Sequence, residues 1–136
     1  MFTHSTRIRV RYGETDQMGF VYYGNYALYY EVGRVEAIRS LGITYRQLEE
    51  EGILMPVVRL DIKYIAPAKY DDLLTVKTSI PEMPDRFITF AVEILNADQE
   101  TINRARIVLC FRNKNTGQLM RTPQIITRQL GAYFDH

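Results

Sequence analysis

The chain has 136 residues, 46% of them hydrophobic and 24% charged. This balance argues against disorder and suits one globular unit spanning residues 1–136 with its own core. Seventeen Lys and Arg against sixteen Asp and Glu leave a net charge of +1, so no global field draws it to nucleic acid. The lone cysteine, Cys110, excludes an internal disulfide, and no apolar run approaches the ~20 residues of a membrane helix. A cytoplasmic protein without a membrane anchor is expected.

Residues 7–12 alternate, with Ile8, Val10 and Tyr12 on one side and Arg7, Arg9 and Arg11 on the other. That period predicts a half-buried first strand. Residues 13–24 carry Gly13, Gly19 and Gly24 without a steady period and read as a loop. Over residues 25–41, Leu28, Val32, Val35 and Ile38 recur at helical spacing, widened by Tyr30, Ala37 and Leu41. Glu31, Arg34, Glu36 and Arg39 take the remaining sides. Gly42 suits the end of this helix, and Gly33 inside it, costing about 1 kcal/mol against Ala, points to a closely approaching neighbour. Thr44 with Gln47 is a capping-box pattern for a shorter helix that stops at Gly52.

The second half is a run of strands. One face of each is marked in turn by Leu60, Ile62 and Tyr64, by Leu74, Val76 and Ile80, by Ile88, Phe90 and Val92, and by Ile107, Leu109 and Phe111. Cys110, inside the last of them, reads as a small core residue. The connections are short and rich in turn formers, which favours antiparallel neighbours. Thr122 and Pro123 read as the N-cap and first residue of a closing helix. This order of elements predicts an α+β fold, an antiparallel sheet wrapped around a long central helix. Pairing two such sheets edge to edge in a dimer would remove the exposed edge strands.

Residues 12–26 bring Glu14 and Asp16 into a glycine-containing loop directly ahead of the long helix. The residues themselves leave two readings open. The amino end of a helix can hold a developing oxyanion, and a nearby carboxylate can act on the same carbonyl as nucleophile or as base toward water. Alternatively the carboxylates cap the loop, the glycines form turns and the tyrosines pack.

The segment resembles the signature of the 4-hydroxybenzoyl-CoA thioesterase family of hot-dog proteins, from Tyr12 through Glu14, Thr15, Asp16, Gly19, Val21 and Tyr22 to Tyr26. The likeness continues through Tyr29, Tyr30, Glu31, Arg34 and Glu36, and through Lys63, Tyr64, Pro67, Ala68, Asp71 and Asp72. This resemblance implies a hot-dog homodimer or homotetramer that hydrolyses an acyl-CoA thioester between two subunits, without metal or redox cofactor. It implies that Asp16 attacks the carbonyl or activates water, and that backbone N–H groups near Tyr23, Gly24 and Asn25 polarise it.

Val21, Tyr26 and Tyr30, with residues of the facing chain, are candidates to line the acyl pocket. Many members of that family carry His where this chain has Tyr23. A phenol with a pKa near ~10 donates a hydrogen bond but is a poor base, so Tyr23 either orients the thioester or packs. Arg59, Lys63, Lys69 and Arg86 are candidates for the phosphates of CoA, against the plainer reading of solvated strand cations. His4 and His136 lie near the ends and are expected to be exposed. A rival to hydrolysis is an acyl-CoA binder without turnover; a dehydratase would need an interior His beside a carboxylate.

Overall fold

The computed structural model of the chain describes residues 1–134. In chain order its elements are β1 (Phe2–Arg9), α1 (Tyr26–Ser40), α2 (Tyr45–Glu50), β2 (Ile53–Leu54), β3 (Val57–Tyr64), β4 (Leu73–Ile80), β5 (Phe87–Leu95), β6 (Thr101–Asn113), β7 (Leu119–Met120) and α3 (Gln124–Leu130). The strands form one antiparallel sheet ordered β1-β4-β5-β6, and β3 pairs with β6 on its remaining side. The short strands β2 and β7, not foreseen in the sequence, extend β6 near its end. α1 packs against β1, β4 and β5, giving the expected sheet wrapped around a long helix. No described helix is long and apolar enough to cross a membrane.

The alternating residues of β4, β5 and β6 supply the core: Leu74, Val76, Ile88, Phe90, Ile107 and Leu109 are all buried, as is Cys110. Gly33 meets the close approach its placement suggested. A Cβ there would stand 2.6 Å from Val76 Cγ1 and 2.8 Å from Thr78 Oγ1. α2 carries the foreseen capping box, in which Gln47 N–H donates to Thr44 Oγ1 at 3.0 Å and Thr44 N–H to Gln47 Oε1 at 2.9 Å.

Several expectations are corrected. The first strand begins at Phe2 and ends at Arg9; Tyr12, expected on its buried side, is 78% exposed. His4 is half-buried on the inward row of β1, paired in register with Thr78, and its Nδ1 is enclosed without a partner. His136 lies outside the described residues. The buried stripe of α1 is Tyr26, Tyr29, Tyr30, Gly33, Arg34, Ala37 and Ile38, while Leu28 is 57% and Val32 42% exposed. Pro123 is the N-cap of α3 in place of Thr122, whose hydroxyl donates to the Asp85 carbonyl.

Candidate active site

The loop before α1 is held by Glu14. Its backbone carbonyl accepts from Tyr22 N–H at 2.9 Å and from Asn25 Nδ2 at 2.9 Å, tying the loop to the helix start. Its carboxylate accepts from Arg11 N–H at 2.9 Å, from the Arg11 guanidinium at 2.9 Å and from the Tyr29 hydroxyl at 2.8 Å. Burial pushes the Glu14 carboxyl up, but the bonds from the Arg11 backbone, Tyr29 and the Arg11 side chain outweigh it and hold the pKa below the ordinary 4.5. A lowered carboxylate pKa adds stability above the unfolded value, and that stability is lost as the pH falls through the folded value. The Arg11 side chain is 81% exposed, so its ion pair adds little and the Tyr29 and backbone bonds carry the effect. Glu14→Gln is expected to cost about 1–2 kcal/mol at neutral pH. In urea unfolding, its gap from the parent chain should close as the pH drops below 4.5.

Asp16 sits in a tight turn. Its N–H donates to the Phe20 carbonyl at 2.8 Å, and Gly19 N–H donates to the Asp16 carbonyl at 3.0 Å. Gly19 has φ +82°, a conformation costly for any side-chain-bearing residue. The carboxylate Oδ1 accepts from Met18 N–H at 2.9 Å and Phe20 N–H at 3.3 Å. The second oxygen, Oδ2, has no hydrogen-bond partner among the described residues. One oxygen thus fixes the side chain while the other is unengaged.

A 3-10 turn, Tyr23–Asn25, opens α1. Asn25 N–H donates to the Tyr22 carbonyl at 2.9 Å, so of the three amides considered from sequence it is spent. The Tyr23 and Gly24 N–H groups have no protein acceptor among the described residues. They are the orphan donors expected at a helix start, carrying its partial positive charge.

Asp16, Val21, Tyr23 and Tyr26 line one cavity of about 330 Å³, together with Tyr64. Tyr64 is part of the family resemblance but not among the site candidates read from the sequence, where it is otherwise one more residue in an alternating strand. Its hydroxyl donates to the Tyr23 carbonyl at 3.2 Å. Its ring meets those of Tyr23 and Tyr26 edge to face, with centroids 6.4 and 5.6 Å apart. Met18 and Phe20, on the Asp16 turn, also face the cavity; their place in the glycine loop is the available signal.

Other candidates lie elsewhere. Tyr30, expected to line the acyl pocket, is 0% exposed and donates its hydroxyl to Asn103 Oδ1 inside the core. Burial raises its phenol pKa, so it stays protonated. Arg59 and Lys63 alternate with Tyr64 along β3 and therefore project from the other face of the sheet. Arg59 is paired there with Asp61 at 2.7 Å. Lys69 is exposed beside Phe20, with which it forms an isolated bridge, but does not line the cavity. Arg86 precedes β5, whose Phe87 pairs with Cys110, whereas Tyr64 pairs with Asn103. Phe87 and Tyr64 are thus about 23 Å apart along β6, and Arg86 does not line the cavity.

Residues 18–103 match the family described as the thioesterase superfamily. A Bacillus subtilis (strain 168) protein, YneP, is 44% identical over 82 residues, which span 60% of this chain and 59% of that relative. The acyl-CoA thioesterase YbgC of Haemophilus influenzae is 39% identical over 130 residues, covering 95% of this chain and 92% of its own. The solved DHNA-CoA thioesterase of Staphylococcus aureus superposes with a TM-score of 0.90 at 32% identity, over 98% of this chain and 89% of that one. The family match over most of the chain, the relative similar along nearly its whole length and the close superposition agree: this chain belongs to the thioesterase superfamily, with the hot-dog fold.

Proposed function

We propose that this protein is an acyl-CoA thioesterase, hydrolysing the thioester to a free acid and CoA at the Asp16 cavity. The observation that carries the reading is that Asp16, with one carboxylate oxygen unengaged, shares a cavity with Tyr23, the first residue of the turn that opens α1 and the neighbour of Gly24, whose amide is free like its own. The Tyr23 and Gly24 N–H groups take the thioester oxygen, whose charge grows as the carbonyl becomes tetrahedral. Asp16 Oδ2 then attacks the carbonyl carbon or takes a proton from the water that does. Collapse of the adduct expels the CoA thiolate; on the first route water then hydrolyses the acyl–Asp16 anhydride, on the second the proton held by Asp16 passes to the thiolate, and in both water is the only co-reactant. Val21, Tyr26 and Tyr64 form the apolar wall for the acyl group, and Tyr23 orients the thioester.

The reading includes a second copy of the chain. The outer edge of β3 has no strand partner among the described residues, and Val58, Leu60 and Tyr64 are 52%, 41% and 50% exposed along it. An unpaired strand of this length with apolar side chains favours edge-to-edge pairing. A homodimer, or a homotetramer of two such pairs, would close the cavity and bring a partner's cations toward CoA. The unpaired Cys110 suits a reducing compartment, so we assign the protein to the cytoplasm.

Thiol release from a panel of short, long, branched and aryl CoA esters tests the function. Turnover of at least one ester is expected, whereas tight binding without thiol release would make the protein an acyl-CoA binder. Tyr64→Phe probes the amides. The Tyr64 hydroxyl holds the carbonyl of the Tyr23–Gly24 peptide, whose N–H is one of the two free donors. Removing it should lower kcat about two- to tenfold with little change in KM, the effect of one net hydrogen bond.

A further inference from the structure

The face of the sheet turned away from α1 holds a depression of about 400 Å³ that the thioesterase chemistry does not use. Two small residues, Ala91 and Ser79, line it together with longer side chains of β3, β4, β5 and β6. Four of these are cations: Lys63, Lys77, Arg104 and Arg106. None of the four belongs to an ion pair among the described residues. Of the two carboxylates lining it, Asp61 is paired with Arg59 at 2.7 Å, and Glu93, which accepts from the Thr101 hydroxyl at 3.2 Å, keeps its charge, so the cations outnumber the unpaired carboxylate four to one.

The strand register concentrates this charge. Lys63 stands directly opposite Arg104, Arg104 opposite Glu93, and Glu93 opposite Lys77, so one row across the sheet reads plus, plus, minus, plus. In the neighbouring row Asp61 faces Arg106, and Arg106 faces Ala91. Like charges directly opposite on adjacent strands destabilise the pair, and Lys63 with Arg104 is such a pair. The chain as a whole carries only +1, so this excess of positive charge is local.

The geometry points to an anion site in this depression, taking a small phosphate ester or pyrophosphate. Two guanidinium forks reach phosphate oxygens in the bidentate manner, and two ammonium groups supply further donors. The bound anion offsets the Lys63–Arg104 repulsion. The volume suits a ligand no larger than a mononucleotide, within the range of small-molecule sites. The sheet itself separates the site from the Asp16 cavity of the same chain, so occupancy here is read independently of thioester binding.

Calorimetric titration with inorganic pyrophosphate at low ionic strength tests the assignment, since added salt screens such exposed charges. Saturable binding of one pyrophosphate per chain is expected, weakened about tenfold by Arg104→Gln and unaffected by Lys114→Gln, a lysine outside the depression. The KM for acyl-CoA should be the same in Arg104→Gln and the parent chain. Absence of saturable binding would overturn the site, as would binding that Arg104→Gln leaves unchanged. A rise in KM parallel to the loss of pyrophosphate would show that these cations serve the substrate's own phosphates, and would overturn a separate site.

Discussion

Asp16→Asn is expected to lower turnover of acyl-CoA by about a hundred- to ten-thousand-fold, the usual contribution of a positioned acid or base, while leaving the fold intact. The separation of the two effects follows from the loop. Oδ1 is the atom that accepts from Met18 and Phe20 N–H, and an asparagine keeps a carbonyl oxygen for both. Its amide nitrogen then falls where Oδ2 stood, so the free oxygen and the negative charge disappear together. Asn cannot act as nucleophile, and its amide takes no proton from water at neutral pH. Thermal unfolding and oligomer size should match the parent chain, and KM should change little because uniform binding is untouched. Asp16→Ala is a less clean probe, since it also strips two backbone N–H groups of their acceptor.

Gly33→Val is expected to be the most damaging change outside the site. A Cβ added at this position falls 2.6 Å from Val76 Cγ1 and 2.8 Å from Thr78 Oγ1. Both neighbours are short, β-branched side chains on β4, stiff about χ1 and unable to swing aside. Accommodating the new atoms requires α1 to lift from the sheet, and overpacking of this kind costs about 3 kcal/mol or more. The gain in helix propensity over glycine is only a few tenths to ~1 kcal/mol and does not compensate. A fall in Tm of roughly 10 °C is expected by calorimetry. Because α1 carries the Tyr23 and Gly24 amides at its start, activity should fall with the folded fraction. A stability equal to the parent's would contradict the packing described for Gly33.

The parts of this architecture that are legible in the sequence are those where pattern and burial coincide. Ile88, Phe90, Val92 and Ile94 alternate and are all buried on β5. The Thr44–Gln47 box closes as its spacing suggests because both bonds are local. The loop of Glu14 and Asp16 is legible by its chemistry, and the structure brings Asp16, Val21, Tyr23 and Tyr26 to one cavity.

Where sequence and structure part, the causes are physical. α1 turns tyrosines, a glycine, an alanine and Arg34 inward and leaves Leu28 and Val32 outside. The hydrophobic pattern is right for Tyr30, Ala37, Ile38 and Leu41 but misplaces Leu28 and Val32 and passes over Tyr26 and Tyr29, because a tyrosine ring buries as well as a leucine when its hydroxyl finds a partner, as Tyr29 finds Glu14 and Tyr30 finds Asn103. The same preference makes Tyr30 look like a pocket residue. Lys63 suggests a CoA contact as a cation on a strand flanking the loop, but it alternates with the cavity residue Tyr64 and so lies on the opposite face of the sheet. Tyr64 itself stays hidden because its role depends on a contact 41 residues away, with Tyr23.

A structure with a ketone analogue of acyl-CoA, in which a methylene replaces the thioester sulfur, tests the central arrangement most directly. The carbonyl oxygen should lie about 3 Å from the Tyr23 or Gly24 nitrogen, with Asp16 Oδ2 facing the carbonyl carbon directly or through one water. A carbonyl held away from the start of α1, or an Asp16 carboxylate turned to bulk solvent while the analogue is bound, would contradict the account.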